Sequence, residues 1–140
     1  MLLYQNIIGK SNFSSMISLL KEIIHWFWGT TDNLFLVLII FTLIDLLTSI
    51  LCLISKGKLS MQTISKLLYK NIALFLLVGV SHMIDAYLVG IDNAFRKITL
   101  ELYIIYEGIV IFENASCLGV PIPKALKMFL INLYSGEDDT

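Results

Sequence analysis

Five ionisable side chains stand inside long apolar runs of this 140-residue chain: Asp45, His82, Asp85, Glu107 and Glu113, with Asn114 directly after the last. His82 and Asp85 are three residues apart, a spacing that puts both on one side of a helix and suits an acid–base pair. Nothing in the sequence supplies that pair with a substrate. There is no G-x-S-x-G, no Walker loop and no H-E-x-x-H, so the chain is read as a protein that is not an enzyme. Cys52 and Cys117 lack the C-x-x-C spacing or nearby histidine pair of a zinc site and are expected to be free thiols. No cofactor or metal is implied.

The elements that must hold these residues are apolar to an unusual degree. Hydrophobic residues make up 57% of the chain and charged ones 15%, against about 25% charged in an ordinary soluble domain. Mean hydropathy is +0.82, and the excess is gathered in blocks, as in a membrane protein. The formal net charge of −1 gives no basic patch able to displace many counterions, which excludes nucleic acid as an expected partner. Three blocks, 33–54, 72–91 and 100–120, are long enough to cross a hydrocarbon core of about 30 Å. Asp45 lies in the first, His82 and Asp85 in the second, and Glu107, Glu113 and Asn114 in the third, which ends at Pro121 and Pro123.

The expected architecture is therefore an all-α membrane protein with about three transmembrane helices. An N-terminal segment, 1–32, precedes a membrane domain, 33–140. Within the former, SMISLLKEIIHWFW places Ser18, Lys21, Glu22 and His25 on one narrow helical face, the pattern of an amphipathic helix lying in the interface with Trp26 and Trp28 as anchors. After Pro123, KALKMFLINLY predicts a short second amphipathic helix, followed by the acidic tail Glu137, Asp138 and Asp139. The stretch SKGKLSMQTISKLLYKN between the first two spans carries Lys56, Lys58, Lys66 and Lys70 and no acid. Lysines beside spans favour the cytoplasm. The expected orientation is N-terminus outside, lysine loop and C-terminus inside. The N-terminus has no basic region of the signal-peptide kind, so targeting is expected to come from the spans themselves.

An ionisable residue at bilayer depth costs about 2.5–3.5 kcal/mol on insertion scales and usually faces a bundle interior or a water-filled cavity. Thr42, Asp45, Thr48, Ser49 and Cys52 share one side of the first predicted helix; Ser81, His82 and Asp85 share one side of the second. Tyr103, Glu107 and Asn114 align on the third, with Glu101 and Glu113 turned away to either side. Such stripes can serve simply to hold helices together. Four carboxylates against one histidine nevertheless leave charge unpaired, and a homo-oligomer enclosing water would shelter it.

The order of features resembles the small phage-lysis and toxin-secretion holins, the TcdE-like type of clostridia and their phages. The pieces that carry it are Asp45; Lys56-Gly57-Lys58-Leu59-Ser60; Val78-Gly79 and Ile84-Asp85; Leu102-Tyr103-Ile104 with Glu107; Ile111-Phe112-Glu113-Asn114; and Gly119-Val120-Pro121-Ile122-Pro123 with Leu126. They cover roughly residues 34 to 133, and E-x5-E-N-x4-G-V-P-I-P is the most specific of them. The resemblance implies a protein that accumulates in the lipid bilayer, oligomerises, and opens lesions through which an endolysin or a large toxin without a signal peptide leaves. On that reading Asp45, His82, Asp85, Glu107, Glu113 and Asn114 govern association or line the lesion. Lys56, Lys58, Lys66 and Lys70 set topology and hold anionic lipid. Two other readings stay open: a small proton or ion channel or carrier, and a non-conducting membrane adaptor.

Overall fold

A computed structural model describes residues 2–90 and 92–137; Asp138 and Asp139 of the acidic tail, and Ile91 at the end of the second predicted span, lie outside the described residues. Five α-helices follow one another: α1 (Leu2–Trp28), α2 (Asn33–Ser55), α3 (Met61–Ile84), α4 (Ala94–Cys117) and α5 (Lys124–Glu137). A π-helical turn, Asp85–Val89, continues α3. No strand occurs among the described residues.

Local chemistry sets the ends. Asp32 caps α2, its side chain accepting from the Phe35 backbone N–H at 3.0 Å, which satisfies one of the orphan donors of the first turn. Ser60 and Thr63 form a reciprocal capping box at the start of α3. Helix α3 therefore begins well before the second apolar block, and the expected lysine loop shrinks to residues 56–60. Lys66 and Lys70 belong to a helix. Gly90 closes the π turn in the left-handed region (φ 63°), donating to the Asp85 carbonyl at 2.9 Å.

The packing is inverted relative to a water-soluble bundle. Helix α4 is the central element: α2 and α3 both pack on it and barely touch one another, α1 lies on α3, and α5 on α4. A small apolar core of Phe35, Leu38, Leu74, Val78 and Leu100 is outnumbered by buried polar residues: Thr42, Asp45, Ser49, Asn71, Ser81, Asp85, Arg96 and Glu107. Leu36, Ile40, Leu43, Leu47 and Leu51 of α2 and Ile72, Leu76 and Val80 of α3 are exposed. Apolar residues outside and polar ones inside are what hydrocarbon, not water, selects.

Two helices, α2 and α3 with its π turn, are long and apolar enough to cross a membrane. Helix α4 has 24 residues but carries Arg96, Lys97, Glu101, Glu107 and Glu113. Helix α1 is longer than the predicted segment, and Phe27 and Trp28 at its C-terminus pack inward while Trp26 stays exposed. A Cβ on Gly79 of α3 would stand 2.0 Å from Phe27 Cε1, so only glycine lets the Phe27 ring lie against α3. Trp28 Nε1 donates to the Phe75 carbonyl at 2.8 Å, and Trp26 Nε1 to Tyr87 Oη at 2.9 Å. Trp28, expected as an interfacial anchor, is a half-buried helix–helix contact, because its indole finds a carbonyl where α3 passes.

Candidate functional site

The polar stripe of α2 meets that of α4 along one seam, in three layers. In the first, Asp45 and Glu107 are both fully buried, and Lys70 of α3 reaches between them. Its Nζ lies 2.5 Å from Asp45 Oδ2 and 3.3 Å from Glu107 Oε1, with the Tyr106 ring centroid at 5.6 Å. Opposite charges this close, shielded from water, attract strongly, and each relieves the other's desolvation. One lysine against two carboxylates leaves a net charge of −1 when both acids are ionised. Neither Glu107 oxygen has a hydrogen-bond partner, so this layer holds unmet acceptor capacity.

The second layer is neutral. Asn114 Nδ2 donates to Ser49 Oγ at 2.8 Å and to Thr48 Oγ1 and Asp45 Oδ1 at 3.1 Å each, sharing two hydrogens among three acceptors. Ser49 Oγ donates to Asp45 Oδ1 at 3.0 Å. Asp45 is thus bound by three side chains from three helices. The third layer is covalent: Cys52 of α2 and Cys117, the last residue of α4, form a disulfide, with Cα atoms 6.0 Å apart. The expectation of free thiols is corrected. Spacing rules written for metal sites carry no information on two cysteines brought together by helix packing across 65 residues.

A second polar cluster sits at the opposite end of the bundle. Arg96 is buried and binds the α1–α2 connection three times: Nε to the Trp28 carbonyl at 2.8 Å, Nη2 to the Thr30 carbonyl at 2.7 Å, and Nη1 to Asp32 Oδ2 at 2.7 Å. The Asp85 carboxylate accepts from the backbone N–H groups of Phe95 and Arg96 at 3.1 and 2.7 Å, capping α4 from another helix. Partial burial pushes the Asp32 carboxyl up, but the Arg96 guanidinium and the Phe35 N–H outweigh it and hold Asp32 below the usual carboxylate range.

The candidate residues therefore separate. Asp45, Glu107 and Asn114 share one seam. Asp85 belongs to the far cluster and serves the start of α4. His82 joins neither; it lies beside Gly29, where an added Cβ would stand 2.8 Å from its ring, and its buried Nδ1 has no partner. Glu113 is exposed and faces Lys127 of α5 at 3.5 Å.

Lys70 and Arg96 are the counter-ions that the sequence reading left out. The lysine pattern predicts Lys70 in the loop beside lipid, and the charge count sets four carboxylates against one histidine. A signal existed: Asp45 and Lys70 stand almost equidistant from Gly57, so a hairpin turning there puts them at one depth. Cation and acid at equal depth in adjacent antiparallel helices will pair.

A model of the bacteriophage holin family matches residues 22–135, from the last turns of α1 to the last turn of α5. The chain belongs to the bacteriophage holin family. It is also similar to an uncharacterized protein of Listeria monocytogenes, 33% identical over 119 residues and 84% of each chain. An uncharacterized 14.9 kDa protein of the nagH 3′ region of Clostridium perfringens is 32% identical over 118 residues, 81% of this chain and 86% of its own. The Bacillus subtilis protein YtkC, also uncharacterized, is 30% identical over 101 residues, 72% and 75% of the two chains. No solved structure matches. Holins are not enzymes, and this holin-family chain, with its apolar helices, is a membrane protein.

Proposed function

We propose that this holin accumulates in the bacterial cytoplasmic membrane and oligomerises there. It opens lesions large enough for a folded endolysin, or for a large toxin without a signal peptide, to leave the cell. On this reading α2, α3 and α4 span the bilayer, α1 ends at the outer interface, and Lys56, Lys58 and α5 lie on the cytoplasmic side. The family match supports the class of function. The observation that carries the mechanism is the inverted packing: leucines and isoleucines outside, and a seam of Asp45, Lys70, Glu107 and Asn114 closed inside one chain. A chain folded this way enters lipid with the carboxylates of Asp45 and Glu107 sheltered inside it. The same side chains supply a polar wall once helices part and copies assemble around water.

The test is the size of what escapes. Induced expression should release a folded cytoplasmic reporter of tens of kilodaltons together with ions. Leakage of ions alone would replace this reading with that of a channel, and an unchanged membrane potential with that of an adaptor.

A further inference from the structure

The Cys52–Cys117 disulfide stands at the end of the seam proposed above to open, and it is the only covalent tie between α2 and α4 among the described residues. Its position is unusual in three respects. It closes the stack in register with the polar layers: on α2, Asp45, Ser49 and Cys52 follow helical spacing down one side, and on α4 Glu107, Asn114 and Cys117 do the same. The two helices cannot separate at Asp45 or Asn114 without either pulling on this bond or hinging about it. The bridge also lies beside the Lys56–Lys58 turn, the end that positive charge assigns to the cytoplasm, where dithiols keep most cysteines reduced. And the two sulfurs differ in access: Cys52 is buried, whereas Cys117 is half-buried, one residue before α4 gives way to the exposed turn Leu118-Gly119-Val120.

We propose that this bridge is a redox latch on the α2–α4 seam, held closed by oxidation and opened by a dithiol reductant. The proposal rests on the lesion reading for its consequence but not for its chemistry. A thiolate of the reductant attacks Cys117 Sγ, the accessible sulfur. Cys52 leaves as a thiolate and takes up a proton. The second thiol of the reductant then attacks the mixed disulfide and releases the Cys117 thiolate, which is protonated in turn. Two electrons and two protons pass to the chain, and the reductant leaves as its own disulfide. The seam is then held by helix packing together with the Lys70 ion pairs and the Asn114 hydrogen bonds, and the polar contacts are ones that water can replace. Seam opening becomes a matter of solvation once the covalent tie is gone.

The test uses the full-length chain in phosphatidylethanolamine–phosphatidylglycerol vesicles loaded with a fluorescent dextran of tens of kilodaltons, with and without dithiothreitol. Alkylation after unfolding counts the thiols in each sample. Hydrogen exchange at the amides of 45–52 and 110–117 reports seam opening independently of any lesion. Reduction should raise exchange in both segments and dextran release by at least about fivefold each, the ratio that about 1 kcal/mol of seam stability represents. The variant C52A/C117A should show the reduced behaviour whether or not dithiothreitol is present. Raised exchange without release in either state keeps the latch and overturns the lesion reading. Unchanged exchange after alkylation has confirmed two free thiols overturns the latch, as does a chain whose cysteines stay unpaired under mild oxidant.

Discussion

Replacing Lys70 by methionine is the sharpest single perturbation of the seam. Methionine keeps an unbranched, flexible side chain one atom shorter while removing the one cation that faces both Asp45 and Glu107. Breaking a buried pair by deleting one partner costs about 3–5 kcal/mol, because the other charge is left uncompensated. Two features place Lys70→Met toward the lower half of that range. Asp45 keeps its bonds from Ser49 and Asn114, and Lys70 itself is partly exposed, with 30% of its side chain accessible. We expect a loss of about 3 kcal/mol, read as a shifted unfolding midpoint when the protein is titrated from mild detergent into denaturing detergent. The triple variant Lys70→Met, Asp45→Asn, Glu107→Gln removes all three charges together and should recover most of that loss, since an uncharged polar layer needs no counter-ion. In cells, Lys70→Met at equal protein level should bring lysis forward. A Lys70→Met protein within about 0.5 kcal/mol of the parent, the range of an ordinary surface substitution, would refute the view that the ion pairs hold the seam. So would a triple variant no more stable than the single one.

The remaining predictions concern the helix ends and the periphery. Gly79→Val places a branched side chain where a Cβ alone would stand 2.0 Å from Phe27; overpacking of this kind costs about 1–3 kcal/mol and should displace α1, read as a change in Trp28 fluorescence. Asp32 is held below its ordinary value in the folded chain, so its contribution is present above the unfolded carboxylate value of about 3.9 and is lost as pH falls through the lower folded value. Asp32→Asn should therefore lower stability near neutrality and flatten the acid limb of a pH–stability profile. Glu113→Gln breaks an exposed pair with Lys127 and should change stability by less than about 1 kcal/mol, with lysis timing unaltered; a large effect on timing would show that Glu113 faces a neighbouring chain.

Much of the architecture was legible from periodicity. The polar stripes of α2 and α4 were visible as Asp45, Ser49 and Cys52 and as Glu107 and Asn114, and they do face one another. What sequence could not give was the partner of each stripe. Hydropathy placed the start of the second span at residue 72, where the apolar run becomes dense, whereas the helix starts at Met61 behind a Ser60–Thr63 capping box. That difference of three turns moved Lys70 from a solvated loop to the bundle interior. Arg96 was hidden for the opposite reason: a cation between spans is ordinarily solvated, and only the return of the α1–α2 connection surrounds it with carbonyls. The disulfide depends on the register of two helices 65 residues apart, which no local pattern encodes.

The internal pairing of Asp45 and Lys70 changes what must drive assembly. Unpaired carboxylates would make the isolated chain costly in lipid and let oligomerisation satisfy them directly. Here Asp45, Asp85 and Arg96 already have partners within one chain, and Glu107, ion-paired with Lys70 at 3.3 Å, still lacks a hydrogen bond to either oxygen. Under the proposed function, association between closed chains would draw on the exposed apolar faces of α2 and α3, where lipid competes on nearly equal terms and contacts are individually weak. On that reading closed chains would gather at high density without opening. Under the proposed function, a lesion forms only when the gain from hydrating the seam across many copies exceeds the loss of the Lys70 and Asn114 contacts in each. Because that loss recurs in every subunit while the gain requires a shared water column, the transition is cooperative. Weakening the contacts by Lys70→Met should therefore advance the onset of lysis far more than it alters the rate once lysis has begun.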